Sequence, residues 1–198
     1  MYWDLDGPSI DPFLDDARDL LDWLVNKLEI EPAFIHCWLS GQKGVHITVP
    51  AEVFGLRAPI KALPLVYREI AESKKVDHLD MGVYSANNGR MWRCEGVPRP
   101  GTGTYKVGVT VQELQAMDAD QYAMLVQQPR PPLSQRAPDK TEVFPRAESL
   151  FKTCRVAAQK RLKAIRGSSG VSSETLAKIE GVPGCIEKLI TEGDGPES

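Results

Sequence analysis

The amino-acid sequence predicts an α+β fold in which helices flank a mixed β-sheet. Strand-like and helix-like runs alternate irregularly, and two β-rich runs are separated by only three residues, as in a hairpin. Of the 198 residues, 42% are hydrophobic and 26% are charged, which are ordinary values for a globular protein. The hairpin favours this class over a doubly wound parallel sheet, whose strands need long crossovers.

Five short runs have the pattern or the composition of β-strands. In residues 2–6 polar and apolar residues alternate, so Tyr2, Asp4 and Asp6 share one side of the strand, and Gly7-Pro8 ends the run. The other predicted strands are residues 33–40, 44–50, 90–96 and 104–110, of which the first two form the hairpin.

Helical periodicity predicts helices over residues 11–28, 59–74 and 111–127. A polar, proline-rich stretch follows, so residues 127–145 are predicted to link a compact domain, residues 1–126, to a basic helical segment, residues 146–198. In that segment we expect one helix over residues 149–167 and shorter helices after Ser172 and from Pro183.

Charge is distributed unevenly, although the net charge is only −3. Residues 11–29 carry six acidic and two basic side chains, whereas residues 146–166 carry seven basic side chains and one acidic side chain. The basic run is typical of a nucleic-acid-binding face, and it is equally typical of a solvated helix surface. Lys160, Arg161, Lys163 and Arg166 are the candidate nucleic-acid contacts in this run.

Four cysteines stand far apart and form no Cys-X-X-Cys pair, which argues against a zinc ribbon or a disulfide scaffold. They suit a reducing compartment, and Cys37 and Cys94 are predicted to be buried in strands. No apolar run approaches the roughly 20 residues that span a bilayer, and no signal-peptide pattern is present. We therefore expect a cytoplasmic protein without a membrane partner.

Asp4 and Asp6 are the first candidate site residues. Their period-two spacing places both carboxylates on one face of a strand, where they repel each other unless solvent or a cation neutralises them. Mg²⁺ and Mn²⁺ prefer such hard oxygen ligands. The pair alone is also compatible with a solvated strand end.

The run SGQKGVH supplies a candidate phosphate cradle. Glycines allow backbone N–H groups to approach an anion, Lys43 adds a positive charge at the turn, and Ser40 and His46 flank it. A simple glycine-rich hairpin is the alternative. A third carboxylate, Asp80, could complete a two-metal site, and the basic side chains that alternate out of the later strands could contact phosphates: Arg90, Arg93 and Lys106. Taken singly, these residues are ordinary surface charges.

The order of these motifs resembles the archaeo-eukaryotic primase superfamily. The resemblance covers roughly residues 1–115 and rests on YWDLDG, WLSGQKGVHITVP, LDMGVYS, MWR and TGTYKV in that order. The superfamily includes primase small subunits, primase-polymerases and the polymerase domain of bacterial end-joining ligases. It implies an RRM-like palm, a β-sheet flanked by helices, with a small C-terminal helical segment appended.

The resemblance also implies roles for the candidate residues. Asp4, Asp6 and Asp80 become the metal-binding, catalytic carboxylates for two Mg²⁺ or Mn²⁺ ions. Ser40, Lys43 and His46 become contacts of the incoming nucleoside triphosphate. A further motif, which varies among members, assigns three basic residues to the same nucleotide: Arg90, Arg93 and Lys106. The implied activity is DNA-dependent primer synthesis on a single-stranded template, with a plasmid, phage or other mobile element as the expected setting.

The chain departs from the family pattern because members carry a further module of strands and helices before the first aspartate pair. The expectation is therefore either a minimal catalytic domain or a fragment whose N-terminal module, or partner subunit, is missing. A replicative helicase is a further expected partner. Three other functions stay open: an end-joining or gap-filling polymerase, a non-catalytic nucleic-acid-binding replication protein, and a metal-dependent nuclease.

Overall fold

The computed structural model describes residues 1–58, 60, 62–84, 93–136, 138 and 142–168. The chain divides into two compact units, Met1–Gln159 and Lys160–Ser198. The second unit is described over residues 160–168 alone, and the helices predicted after Ser172 and from Pro183 lie outside the described residues. The linker predicted over residues 127–145 does not coincide with this division.

The α+β class is confirmed, because the described residues form a four-stranded sheet and five α-helices. The strands are β1 (Tyr2–Asp6), β2 (His36–Leu39), β3 (Gly44–Thr48) and β4 (Val107–Val109), in the spatial order β1-β3-β2-β4. Every neighbouring pair is antiparallel, so the described sheet is antiparallel and not mixed as predicted. The hairpin reverses the chain direction, whereas β1 and β2 run the same way, as do β3 and β4, so the two long connections are crossovers.

One face of the sheet is apolar and forms the core. Trp3 and Leu5 of β1, Val45 and Ile47 of β3, and Leu39 of β2 are fully buried on it. Helix α1 (Ile10–Asp22) covers this face and continues as a π-helical turn, Trp23–Lys27. Burial of each large aliphatic side chain contributes about 2 kcal/mol, so this packing fixes which face of the sheet remains open.

The helices follow the predicted regions with different ends. Helix α2 spans Leu63–Ser73, and the region predicted as one helix over residues 111–127 is two helices, α3 (Val111–Ala116) and α4 (Ala119–Leu125). The basic helix α5 spans Pro145–Ser168. Three 3₁₀ turns complete the described structure: Pro32–Phe34, Ala51–Phe54 and Met81–Tyr84.

The proline-rich segment after α4 contacts the sheet domain through two arginines. Arg130 donates to the Glu113 carboxylate at 2.8 Å, and Arg136 pairs with Glu31 and Glu142 while its guanidinium lies 4.7 Å from the centre of the Phe34 ring. In the part of the chain that the structure describes, no helix combines the length and the apolarity that crossing a membrane requires.

Candidate active site

The open face of the sheet carries the candidate site residues in register. Asp4 of β1 lies opposite His46 of β3, His46 lies opposite Trp38 of β2, and Trp38 lies opposite Gly108 of β4. Because directly opposed residues in an antiparallel pair point to the same face, these residues form one row across four strands. Two residues farther along β1, on the same face, Asp6 lies opposite Gly44 of β3.

Asp4 and His46 are in direct contact. The His46 Nε2 atom lies 3.4 Å from Asp4 Oδ1, and the two side chains are only 14% and 20% exposed, respectively. Burial, together with the positive charges of Lys106, Arg93 and Arg99, lowers the pKa of His46 to about 3. The imidazole is therefore neutral at neutral pH, and it can donate one hydrogen bond to a phosphate without adding charge.

Lys106 immediately precedes β4, two residues before Gly108 and on the same face, and is only 5% exposed. Its Nζ atom is 5.0 Å from the centre of the Trp38 ring. Burial lowers the pKa of Lys106, an effect that the Glu95 carboxylate opposes, and Arg93 lowers the pKa further. Lys106 and Arg93 place two positive charges close together, of which the Glu95 carboxylate offsets a part, and such a pair of cations favours binding of a phosphate.

Arg93 extends the same positive cluster. Its Nη2 atom donates to the Ser40 carbonyl oxygen, whereas Nη1 is buried and has no hydrogen-bond partner among the described residues. Burial and Arg99 both lower the pKa of Arg93. An orphaned guanidinium N–H is the group that a phosphate oxygen would satisfy. The third predicted base, Arg90, lies outside the described residues.

The turn between β2 and β3 holds Ser40, Gly41 and Lys43, and Gly44 begins β3. The backbone N–H of Ser40 donates to the Gly44 carbonyl oxygen at 2.8 Å, and the Tyr122 hydroxyl of α4 donates to the same oxygen at 2.9 Å. Ser40 is buried, whereas Lys43 is exposed at the tip of the turn. The hydrogen bonds to the Gly44 carbonyl oxygen therefore hold the turn in place, and the Lys43 side chain remains accessible to a ligand.

Asp80 lies beside β1 through a short stretch of backbone pairing. Its N–H donates to the Asp4 carbonyl oxygen at 2.8 Å, and the Asp6 N–H donates to the His78 carbonyl oxygen at 2.9 Å. One oxygen of the Asp80 carboxylate accepts from the Gly82 N–H at 2.8 Å. Asp4 and Asp80 both raise the pKa of Tyr84, after burial and Tyr2, so both carboxylates lie close to this phenol.

The three carboxylates fit Mg²⁺ or Mn²⁺ in chemistry and in backbone placement. Asp4, Asp6 and Asp80 supply hard oxygen donors from two adjacent backbone segments. Among the described residues, however, no three His, Cys, Asp or Glu side chains are gathered closely enough to ligate one ion.

The candidate nucleic-acid contacts lie on the C-terminal part of α5, in the second unit. Lys160 and Lys163 are exposed, and Arg161 is half-buried. The backbone of Arg166 is helical, and its side chain lies outside the described set. The structure thus places these residues along one helix, as the sequence predicts.

Several residues of the site were not predicted from the sequence. Glu95 accepts hydrogen bonds from Trp38 Nε1 at 3.1 Å and from the Gly108 N–H at 2.9 Å, so it fixes the indole beside Lys106. Arg99 contributes charge near His46, and Tyr122 anchors the turn. No sequence motif or periodic pattern connects Glu95, Arg99 or Tyr122 to the SGQKGVH run.

The prediction that Cys94 is buried is wrong, because its segment lies at the surface and the thiol is exposed.

No known protein family, curated protein sequence or solved structure matches this chain.

Proposed function

We propose that this chain is the catalytic part of a DNA-dependent primase or primase-polymerase of the archaeo-eukaryotic primase type. It would make primers on single-stranded DNA in the cytoplasm, in the replication of a mobile element. The observation that carries the proposal is the row that joins Asp4 to His46 beside Lys106 and Arg93. Nucleotidyl transfer needs this combination, since carboxylates for metal ions must lie next to cations for a triphosphate.

Each residue has a role in this proposal. Lys106 and Arg93 neutralise the charge of the phosphates from the sheet face. Lys43 contacts the same phosphates from the turn between β2 and β3. Neutral His46 has a single N–H, and Nε2 would turn this hydrogen bond from Asp4 Oδ1 to a phosphate oxygen when the nucleotide binds. These residues act through position and charge and form no covalent intermediate.

Asp4, Asp6 and Asp80 are the residues that would hold two Mg²⁺ or Mn²⁺ ions. Such ions, when bound, lower the pKa of an attacking 3′-hydroxyl and neutralise the leaving pyrophosphate. Asp4 is then shared between a metal site and His46, so a change at either residue is expected to disturb both functions. The antiparallel sheet with its open polar face supports the RRM-like palm as the architecture of this proposal.

The direct test is primer synthesis on single-stranded DNA with labelled nucleoside triphosphates and Mn²⁺ or Mg²⁺. We expect short products from the wild type and a loss of about a thousandfold or more in the double variant Asp4→Asn/Asp6→Asn. Asp22→Asn is the matched control, because Asp22 is exposed at the far end of α1. The control variant should retain wild-type activity.

The outcomes separate the candidate functions. De novo products that depend on Asp4 and Asp6 support a primase. Extension of a supplied primer without de novo products would instead indicate the end-joining or gap-filling type of polymerase. Full synthesis by the double variant would contradict the assignment of Asp4 and Asp6 as metal ligands. Binding of DNA without any synthesis, in the presence of either metal, would favour the non-catalytic replication protein.

A further inference from the structure

A cavity of about 380 Å³ opens on the sheet face that carries the candidate site. His36 and Trp38 of β2 line it, and Thr110 and Gln112 continue its wall where β4 leads into α3. Ser134 and Gln135 of the proline-rich segment lie across it. Because β2 alternates, His36 and Trp38 point to this face while Cys37 points into the core. The volume falls in the range of about 300–1,000 Å³ that small-molecule sites occupy.

The lining of the cavity is uncharged and combines two rings with aliphatic side chains and a few polar groups. The His36 and Trp38 rings meet edge to face, with their centres 6.2 Å apart. None of the described lining residues is an aspartate, glutamate, lysine or arginine. Burial lowers the pKa of His36, which keeps the imidazole neutral at neutral pH. Hydroxyl and amide groups at the rim can donate and accept hydrogen bonds. This combination suits a planar, uncharged ring with polar edges.

Trp38 connects this cavity to the positive cluster. Lys106 Nζ lies 5.0 Å from the centre of the indole ring, and His46 is the register partner of Trp38 on β3. His36 lies two residues farther along the same face, a rise of roughly 7 Å. Lys106 and the Glu95 carboxylate that holds the indole therefore lie at one end of this row, and the uncharged lining of the cavity lies at the other. A ligand with an anionic end and an uncharged ring a short distance away matches both parts.

We propose that the cavity binds the base of the nucleotide whose phosphates contact Lys106 and Arg93. This inference rests on the proposed function, to which it adds a base-binding subsite and the residues that form it. Base and triphosphate then contribute separately to affinity, since the first binds by stacking and the second by charge.

Calorimetric titration with ATP and with inorganic tripolyphosphate separates the two contributions. We expect the wild type to bind ATP at least about tenfold more tightly than tripolyphosphate. Ser134→Trp, which fills the cavity from an exposed position, should weaken ATP binding by about tenfold or more and leave tripolyphosphate binding unchanged. His36→Ala should weaken ATP binding in the same selective way. Gln128→Trp, an exposed change in the same segment but outside the cavity, is the matched control.

Equal affinity for both ligands in the wild type, with no effect of Ser134→Trp, would overturn the subsite and leave the proposed function standing. Binding of neither ligand would overturn both. Photo-crosslinking of the wild type with 8-azido-ATP gives an independent answer that needs no variant. Attachment to the peptides that contain residues 36–38 or 133–135 supports the subsite, and attachment confined to other peptides contradicts it.

Discussion

Gly44 occupies a position that no side chain can enter. A Cβ atom there would lie 2.7 Å from the Leu5 carbonyl oxygen, 3.1 Å from Ser40 Oγ and 3.3 Å from Asp6 Oδ1. The glycine therefore lets β1, which carries the aspartates, pair closely with the turn that carries Ser40. The spacing of the second glycine in the cradle motif follows from this close approach.

Replacing Gly44 by alanine should lower the free energy of unfolding by about 1–3 kcal/mol, because the backbone oxygen of Leu5 cannot move aside without breaking strand pairing. Gly108→Ala is the matched control. Its Cβ would meet Glu95 Oε1 at 2.5 Å, and this flexible side chain can turn away by weakening its hydrogen bonds to the Gly108 N–H and Trp38, so the cost should be about 1 kcal/mol and smaller than for Gly44→Ala. Urea denaturation measures both values, and equal costs would contradict this account.

The three described cysteines should differ sharply in reactivity. Burial raises the pKa of Cys37 to about 12 and that of Cys154 to about 11, whereas Cys94 is exposed. Since the thiolate is the nucleophile, iodoacetamide at mildly alkaline pH should modify Cys94 at least about a hundredfold faster than the other two. Site-resolved mass spectrometry over time measures the rates. Fast modification of Cys37 would indicate that β2 opens readily.

At the residue scale, the sequence identified the side chains that motifs connect and missed those that only the fold connects. Asp4, Ser40 and His46 follow from alternation and glycine spacing within about 45 residues of one another. Glu95 and Tyr122 reach the site through tertiary contacts, and their sequence neighbours give no sign of it. A periodic pattern specifies which face a residue occupies but not which distant residue it meets.

At the scale of elements, a capping signal that is present in the sequence explains the division of the predicted helix over residues 111–127. Thr110 and Glu113 form a complete capping box at the start of α3, and Asp118 and Gln121 form a second one at the start of α4. Asp118 has an extended backbone, which interrupts the helix. The local signal for two helices thus outweighs the continuous apolar pattern.

Thr110→Ala should destabilise the protein by about 1 kcal/mol, because the Glu113 N–H loses its acceptor at the start of α3. Ser9→Ala is a close comparison, since Ser9 is the N-cap of α1 but makes no side-chain capping hydrogen bond. That substitution should change stability by less than about 0.5 kcal/mol. Thermal or urea unfolding compares the two, and a larger loss for Ser9→Ala would show that the capping interaction is assigned to the wrong helix.

At the scale of the whole molecule, the class of fold could be predicted but the sheet order could not. Because only three residues separate the predicted strands 33–40 and 44–50, the sequence predicts the pairing that β2 and β3 form. The pairing of β1 with β3, which brings Asp4 to His46, depends on a contact across some 40 residues that strand patterns do not encode. Packing of the apolar faces onto α1 decides it, and the site exists only as a consequence of that order.

The distribution of charge over the whole molecule predicts which residues bind single-stranded DNA. The net charge of −3 opposes such binding, so the exposed bases Lys160 and Lys163 must act locally. The double variant Lys160→Gln/Lys163→Gln should bind DNA more weakly, with a salt dependence that is shallower by about 1.4 in the slope of log affinity against log salt, or about 0.7 for each lost phosphate contact. Fluorescence anisotropy with an oligonucleotide at several salt concentrations measures the slope.

Lys27→Gln/Lys75→Gln is the matched control. It removes the same charge from two other exposed positions, and it should leave the slope unchanged. Equal slopes for both variants would mean that the basic helix is a solvated surface and does not bind the template.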